Sequence, residues 1–220
     1  LVVFPPMGVP VSFDDGGPRL SAPIRTAADL SALKKLDVEK GLKFVSDGIR
    51  QARMVLPANI PLIGFAGAPF TLACYAIEGT TSREFTVARR FFHENPKLAE
   101  KMMAHLAGAV SDYLIAQIDA GVDAVQLFDS WGGLLSSEDY RRWVLPHLQE
   151  IVSRVKKADV PVILYLSSTT HLLDVIAEAG FDVVSVDWRT ELNAAAHHLS
   201  HAKEIQGNLD PLAMYDDSET

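Results

Sequence analysis

The chain has 220 residues, of which 48% are hydrophobic and 22% charged, a balance typical of a folded globular protein rather than a disordered one. Its 20 Lys and Arg against 28 Asp and Glu give a formal net charge of −8, which argues against a dedicated nucleic-acid-binding protein. The longest apolar runs are far too short to cross a membrane. The single cysteine, Cys74, excludes an internal disulfide and a Cys-rich metal site, and it suits a reducing compartment. We therefore expect a cytoplasmic protein without nucleic-acid or membrane partners.

Both ends of the chain indicate a piece of a longer protein. It begins at Leu1 without an initiator Met, and it stops in an acidic stretch, residues 216–220, typical of the first turn of a helix. No linker or low-complexity tract divides the sequence. We expect one incomplete domain over residues 1–220.

The predicted elements alternate along most of the chain. Residues 5–25 hold five prolines and the turn-forming Asp14-Asp15-Gly16-Gly17, which predicts a loop, and apolar spacings of three and four predict a helix over 38–56. Strands are predicted over 62–66, 122–128, 161–166, 182–188 and 203–207. Further helices are predicted over 83–94, 96–120, 137–158 with a break near Pro146, 171–179 and 192–200.

This β-α repetition predicts an α/β protein with a parallel sheet. The strands are rich in Val, Ile and Leu without polar alternation, as in strands covered on both faces. The pattern alone fits an open doubly wound sheet or a (β/α)₈ TIM barrel. However, Gly64 and Gly67 are followed by Ala68-Pro69-Phe70 instead of a glycine-rich phosphate-binding turn. We therefore expect an incomplete TIM barrel with about five of its eight strands.

Polar or aromatic residues lie at the end of every predicted strand, and three of these five segments also contain glycine. The segments are residues 67–79, 129–133, 167–170, 187–188 and 207–211. Taken singly, Asp187 and Asp210 are more typical of helix N-caps than of a functional site. In a barrel, however, all these ends meet at one face, which is where ligands bind. Their concentration at every strand end predicts a ligand-binding rim.

Four segments resemble the uroporphyrinogen decarboxylase family. They occur in the family's order at compatible spacing, and the resemblance extends over about residues 1–215. The segments are Pro61–Leu72 with Tyr75 and Glu78-Gly79 beyond it, Gln126–Gly133, Val184–Trp188 and Gln206–Pro211. The resemblance implies a TIM-barrel carboxy-lyase that converts the four acetate side chains of uroporphyrinogen III to methyl groups, giving coproporphyrinogen III in haem biosynthesis. It further implies that the enzyme needs no metal or organic cofactor and acts as a homodimer.

Matching residue by residue, the resemblance implies four site residues. Tyr75 would lie beside the reacting acetate as a catalytic and substrate-binding residue, and Ser130 would contact a carboxylate of the substrate. Phe65 and Phe128 would pack against the macrocycle. From the residues alone, Tyr75 and Ser130 also fit a helix start and an N-cap, and the two phenylalanines also fit a plain barrel core.

The chain also departs from the family pattern. The family's Arg-rich loop, its Asp at the end of the second strand and its Gly-His-Gly segment have no counterpart, and residues 167–170 differ from relatives. We therefore expect the chain to be inactive alone. His197, His198 and His201 include an i, i+4 pair, but on a predicted outer helix and without a Glu in a His-Glu-x-x-His arrangement, so we expect no metal site.

Two alternatives stay open. Corrinoid-linked methyltransferases share the barrel, but they hold zinc with a His-x-Cys pair and a further Cys, which one cysteine cannot supply. The second alternative is a non-catalytic barrel remnant that binds a tetrapyrrole without converting it.

Overall fold

The computed structural model describes residues 1–168, 170–199 and 204–215. Several sequence predictions concern residues outside these ranges: Thr169 in the third strand-end segment, Ser200 and Lys203 at the ends of predicted elements, His201, and the acidic stretch 216–220. No helix within the described ranges is long and apolar enough to cross a membrane.

Two sheets are present in the described part of the chain. A short antiparallel hairpin pairs β1 (Val11–Asp14) with β2 (Gly17–Leu20). The second sheet has five parallel strands: β3 (Ile63–Gly67), β4 (Ala124–Asp129), β5 (Val162–Leu166), β6 (Val183–Ser185) and β7 (Glu204–Gln206).

The helices lie before the parallel sheet and between its strands. They are α1 (Ala27–Ala32), α2 (Val38–Gly41), α3 (Lys43–Val55), α4 (Pro69–Glu78), α5 (Thr86–Glu94), α6 (Pro96–Asp119), α7 (Ser137–Trp143), α8 (Leu145–Val155), α9 (Leu173–Ala177) and α10 (Leu192–His198).

The order of the parallel strands decides between the two sheet architectures. Within the sheet the strands lie in chain order, β3-β4-β5-β6-β7, with parallel pairing at every step. A doubly wound sheet reverses its strand order at a switch point, whereas a barrel adds each strand beside the last. The predicted TIM-barrel architecture is confirmed, with five strands of an incomplete barrel.

The register of the sheet separates an inner from an outer face. Phe128 pairs with Tyr165, and Tyr165 pairs with Ser185, so these side chains point to the same side. The intervening residues, such as Leu127 and Leu164, are fully buried under the helices. The inner side of β3 is open instead, since Phe65 is 61% exposed. The expectation that strands are covered on both faces therefore fails for β3.

Gln117 on α6 fixes that helix against β3. Its side-chain amide accepts a hydrogen bond from the backbone N–H of Phe65 (2.9 Å) and donates one to the Phe65 carbonyl (3.0 Å). Gln117 is 3% exposed, so both polar ends of the amide are satisfied where an unpaired group would be costly. This contact sets the position of Phe65 on the inner face.

Three elements differ from the sequence predictions. The predicted loop over 5–25 contains the β1–β2 hairpin, whose turn is closed by a hydrogen bond from the Gly16 N–H to the Asp14 side chain (2.9 Å). The predicted helix over 38–56 breaks at Leu42, directly after Gly41, a poor helix former. The break turns Leu42 into the core, where it is 1% exposed. The segment after β3, read as a rim loop, is the buried helix α4.

The break predicted near Pro146 is confirmed. Helix α7 ends at Trp143 and α8 begins at Leu145, with the residue between them, Val144, at φ −112° and ψ −50°. Pro146 lies in the first turn of α8, where its missing N–H costs nothing.

Candidate active site at the carboxyl ends of the strands

Tyr75 lies on α4, which begins directly after β3. Pro69 occupies the first turn of this helix, where its fixed φ favours helix initiation. The half-buried ring of Tyr75 contacts Phe85 edge-on, with ring centroids 5.4 Å apart, and lies 6.3 Å from the ring of Trp131. The Tyr75 ring is thus held by aromatic neighbours at the carboxyl end of β3.

Ser130 follows the last residue of β4 and is half-buried. The next residue, Trp131, carries the ring that lies beside Tyr75. Within the described ranges, neither the Tyr75 phenol nor the Ser130 hydroxyl has a hydrogen-bond partner. The structure therefore brings these two predicted residues to the same end of neighbouring strands.

Phe65 and Phe128 lie on the inner face of the sheet. Their rings meet edge-on at 5.9 Å, and Phe128 in turn lies 5.4 Å from the ring of Tyr165 on β5. The three rings form an aromatic stripe across three adjacent strands. Tyr165 was not among the predicted site residues, although it is the second-last residue of its strand, as Phe128 is of β4, and equivalent positions of parallel neighbours lie on one face.

Behind the Ser130 turn lies a buried polar network centred on Asp129, the last residue of β4. Asp129 is 0% exposed, and its carboxylate accepts hydrogen bonds from the hydroxyls of Thr71 (2.9 Å) and Tyr140 (2.9 Å). Thr71 also accepts the backbone N–H of Trp131 (3.3 Å). Burial raises the pKa of Asp129 to about 6, with the two hydroxyls opposing the shift.

Phe85 completes the aromatic surroundings of Tyr75 in an unusual backbone conformation. It is 0% exposed, and its ring packs on Trp131 with centroids 4.7 Å apart. Its φ of 43° and ψ of 48° place a bulky residue in the left-handed region, which costs about 1–3 kcal/mol. Such strain persists because the ring is locked between Tyr75 and Trp131.

The strand ends are linked to one another around the rim. A side chain at Gly133 would come within 2.5 Å of the Ser167 carbonyl, so the turn after β4 lies directly on the turn after β5. That second turn is held by Asp187 after β6, whose carboxylate accepts the backbone N–H of Ser168 (2.8 Å) and the hydroxyl of Ser167 (3.3 Å). Loops from three successive strands are thus tied together.

Asp187 is 4% exposed and is held as a carboxylate. Burial raises its pKa, but the Ser168 N–H, the side chain of Arg189 (2.7 Å) and the Arg189 N–H (3.1 Å) outweigh that effect and hold the pKa below its ordinary value. The Arg189 guanidinium also lies 3.9 Å over the Trp188 ring. The Asn208 side chain extends the linkage to β7 by donating to the Asp187 carbonyl (3.1 Å).

The N-cap interpretation of the two aspartates is partly correct. Asp210 accepts the backbone N–H of Leu212 (2.9 Å) at the start of a 3₁₀ turn, as a capping residue does. Asp187 also binds backbone N–H groups, but it stabilises a loop junction. The N-cap of the following helix, α10, is Glu191.

The remaining candidate residues for metal binding or nucleophilic chemistry lie away from this rim or are buried. His198 contacts Asp174 (2.7 Å), and within the described residues no group of three or more His, Cys, Asp and Glu side chains is placed to hold a metal. Cys74 is fully buried, and burial, followed by the charges of Asp129 and Glu78, raises the pKa of its thiol. A buried thiol of raised pKa is a poor nucleophile.

Comparison with a solved structure agrees with the barrel architecture. The structure of a methyltransferase from Methanosarcina mazei superposes with a TM-score of 0.76 at 18% identity, covering 94% of this chain and 61% of that one. At this identity the likeness concerns the fold alone, which is that of the barrel.

Comparison with sequence relatives identifies a family in addition to the fold. The uroporphyrinogen decarboxylase of Geobacter sp. (strain M21) is 39% identical over 214 residues, which are 97% of this chain and 62% of that protein. The uroporphyrinogen decarboxylase of Syntrophotalea carbinolica is 44% identical over 197 residues, 90% of this chain and 57% of that protein. The chain therefore spans about three fifths of the length of the curated relatives it matches. A family model described as uroporphyrinogen decarboxylase (URO-D) matches residues 1–220, and the chain belongs to that family.

Proposed function

We propose that the protein containing this chain removes the carboxylates of the four acetate side chains of uroporphyrinogen III and yields coproporphyrinogen III. One observation carries the proposal. The free polar groups of Tyr75 and Ser130 lie at the carboxyl ends of adjacent strands, beside an inner face lined by the rings of Phe65, Phe128 and Tyr165. Apolar rings suit the flat macrocycle, and hydroxyl donors suit its carboxylates.

The substrate itself can supply the electron sink that decarboxylation requires. Protonation of a pyrrole carbon makes the ring an electron sink, so the C–C bond to the carboxylate can break and release CO₂. A proton then adds to the side-chain carbon, and loss of the first proton restores the pyrrole, leaving a methyl group. In this scheme the Tyr75 phenol donates a hydrogen bond to the departing carboxylate, and Ser130 anchors another carboxylate arm. We propose that no metal or organic cofactor takes part.

Several groups that this scheme needs would come from outside residues 1–220. A cationic pyrrole intermediate requires an anion, and a polycarboxylate substrate requires cationic partners. Within the described ranges, the Arg189 side chain at the rim is engaged by Asp187. We therefore propose that the 220-residue chain is inactive alone and that the longer protein supplies these charges.

We also propose the organisation of the longer protein. The buried core extends from Val3 to Leu199 as one cluster, which supports a single barrel domain over residues 1–220. A homodimer in the cytoplasm is proposed from the family resemblance, and the composition with its single cysteine supports the compartment. Analytical ultracentrifugation of the longer protein tests the dimer, and cell fractionation tests the location.

The test compares the longer protein with variants at the two polar positions. The porphyrinogen products are oxidised to porphyrins and separated by chromatography, so that each lost carboxylate is counted. We expect Tyr75→Phe to lower kcat by about 100-fold and Ser130→Ala to raise KM about tenfold. Matched controls are Tyr215→Phe, at a residue 85% exposed, and Ser46→Ala on the outer helix α3.

Two results would count against the proposal. Wild-type activity that survives both substitutions would remove Tyr75 and Ser130 from the site. Tetrapyrrole binding, measured by fluorescence quenching, without any loss of carboxylate from the longer wild-type protein would favour the non-catalytic alternative.

A further inference from the structure

Asp129 carries a buried carboxylate, and burying a charged group lowers the stability of the fold, so its presence calls for an explanation. It is 0% exposed, and among the described residues it is hydrogen-bonded by two hydroxyl groups and paired with no cation. Removing an ionised carboxylate from water without a counter-ion is expensive. If this position served only for packing, an apolar side chain would give a more stable fold.

The direction of the hydrogen bonds in this network is fixed by chemistry. The Trp131 backbone N–H can only donate, so the Thr71 oxygen accepts it and the Thr71 proton must go elsewhere. It goes to one oxygen of Asp129, while the Tyr140 hydroxyl donates to the other. An ionised carboxylate accepts at both oxygens, whereas an amide of the same shape accepts at one only.

The turn that follows β4 rests directly on this network. A side chain at Gly132 would come within 2.7 Å of the carboxylate oxygen of Asp129 and 2.8 Å of the Tyr140 ring. The neighbouring Trp131 is held by its backbone bond to Thr71 and by ring contacts with Phe85. A change in the position of the Thr71 hydroxyl would therefore be transmitted to the whole turn.

We propose that Asp129 is a positioning residue: it orients the Thr71 hydroxyl to hold the Trp131 backbone, and thereby fixes the turn that presents Ser130 to the substrate. The presentation to substrate rests on the proposed function, whereas the fixing of the turn does not. Asp129 does not itself reach the rim, because it is sealed beneath the turn.

The hydrogen bonds that Asp129 accepts should change between about pH 5 and 7. The titratable groups that face Asp129 are Tyr140 from α7 and Cys74 from α4, and burial together with the Asp129 charge raises the pKa of both away from neutrality. Asp129 is thus the group of this set that titrates, with a pKa of about 6. A protonated carboxyl cannot accept fully from both hydroxyls, so the Trp131 turn should loosen below this pH.

The experiment uses the longer protein labelled with 5-fluorotryptophan and followed by ¹⁹F NMR, with the Trp131 signal assigned by Trp131→Phe. In the wild type we expect this signal to shift with an inflection near pH 6, and in Asp129→Asn we expect no inflection. Thr71→Val should displace the signal at all pH values, and Thr71→Ser, which keeps the hydroxyl, should restore it. The controls are the exposed residues in Thr86→Val and Asp119→Asn.

Kinetics on the same variants tests the link to substrate. Thr71→Val and Asp129→Asn should raise KM about tenfold with kcat within about threefold, and Thr71→Ser should return KM to the wild-type value. If either variant fails to fold by circular dichroism, Tyr140→Phe, which removes one donor to Asp129, replaces it.

The outcomes separate the two proposals. A Trp131 signal that is identical in wild type, Thr71→Val and Asp129→Asn at every pH would overturn the positioning role. A displaced signal with unchanged KM would support the fixed turn and overturn the role of Ser130 in substrate binding. Displaced signals in a protein with no decarboxylase activity would overturn the proposed function and leave the positioning role supported.

Discussion

Asp129 should make the stability of the wild-type protein depend on pH, and its substitution should remove that dependence. Burial raises the pKa of this carboxyl from its ordinary value of 3.8 to about 6. The folded protein therefore binds the proton more tightly than the unfolded chain does. The resulting stabilisation is fully present below about pH 4 and is lost as the pH rises through about 6. Each unit of pKa corresponds to 1.36 kcal/mol, so the loss is about 3 kcal/mol.

The assay is urea unfolding of the wild type and Asp129→Asn at pH values from 4 to 7.5. Because other titrating groups are common to both proteins, the difference between their free energies of unfolding isolates Asp129. Because the carboxyl of the unfolded chain is already more than half ionised at pH 4, we expect the wild type to lose about 2 kcal/mol relative to the variant over this range. Asp119→Asn, at an exposed position, should track the wild type throughout.

The opposite slope would refute the reasoning. If the stability of the wild type relative to Asp129→Asn rises with pH, the hydroxyls of Thr71 and Tyr140 outweigh burial and the carboxyl has a lowered pKa. A flat difference would mean that water reaches Asp129 and that the site is less buried than its zero exposure indicates.

Three further predictions concern the turn at Gly133, with Gly48 as its comparison, the loop junction at Asp187, and the buried Cys74. Gly133→Ala should lower the free energy of unfolding by roughly 1–3 kcal/mol, because the new methyl group would meet the Ser167 carbonyl. Gly48→Ala on α3 should raise it by roughly 0.5–1 kcal/mol, because there is open space around Gly48. Urea unfolding measures both changes. Asp187→Ala should lower the free energy of unfolding by about 3 kcal/mol at pH 7. Because the pKa of Asp187 is lowered in the folded protein, the stability difference between wild type and variant should shrink as the pH falls below 4. An unchanged melting temperature would contradict this prediction. Cys74, fully buried, should react with a thiol reagent only in denaturant, so rapid labelling of the native protein would show that α4 opens.

The barrel could be predicted because its signals are local. Strands β3 to β6 are mostly apolar, and helices α6 and α8 have Pro in their first turn, so much of the β-α order is visible in the sequence. Parallel winding then requires the carboxyl ends to share one face, which is why Tyr75 and Ser130, 55 positions apart in the sequence, could be expected together. The family resemblance added the chemistry that strand ends alone do not specify.

Helix α4 could not be predicted from periodicity. Its residues from Pro69 to Ile77 are buried on all sides except at Tyr75, so it lacks the polar face that marks an amphipathic helix. The hairpin near Asp14 and the helix α1 both had local signals. The Gly-Gly turn between short strands was interpreted as a loop, and the capping box between Thr26 and Asp29 was not used to predict a helix. The Asp129 network had no such signal, since Thr71 and Tyr140 lie 58 and 11 residues away.

The two buried aspartates at the ends of β4 and β6 show why residue type alone does not fix a role. Asp187 faces backbone N–H groups and an arginine, so its charge is held and the loops it joins stay clamped over the ordinary pH range. Asp129 faces only hydroxyls, which stabilise its charge less than burial penalises it, so its pKa is displaced in the opposite direction. It follows that the β6 end of the rim should keep its shape near neutral pH, while the β4 end, which carries Ser130, should be the part that responds to protons.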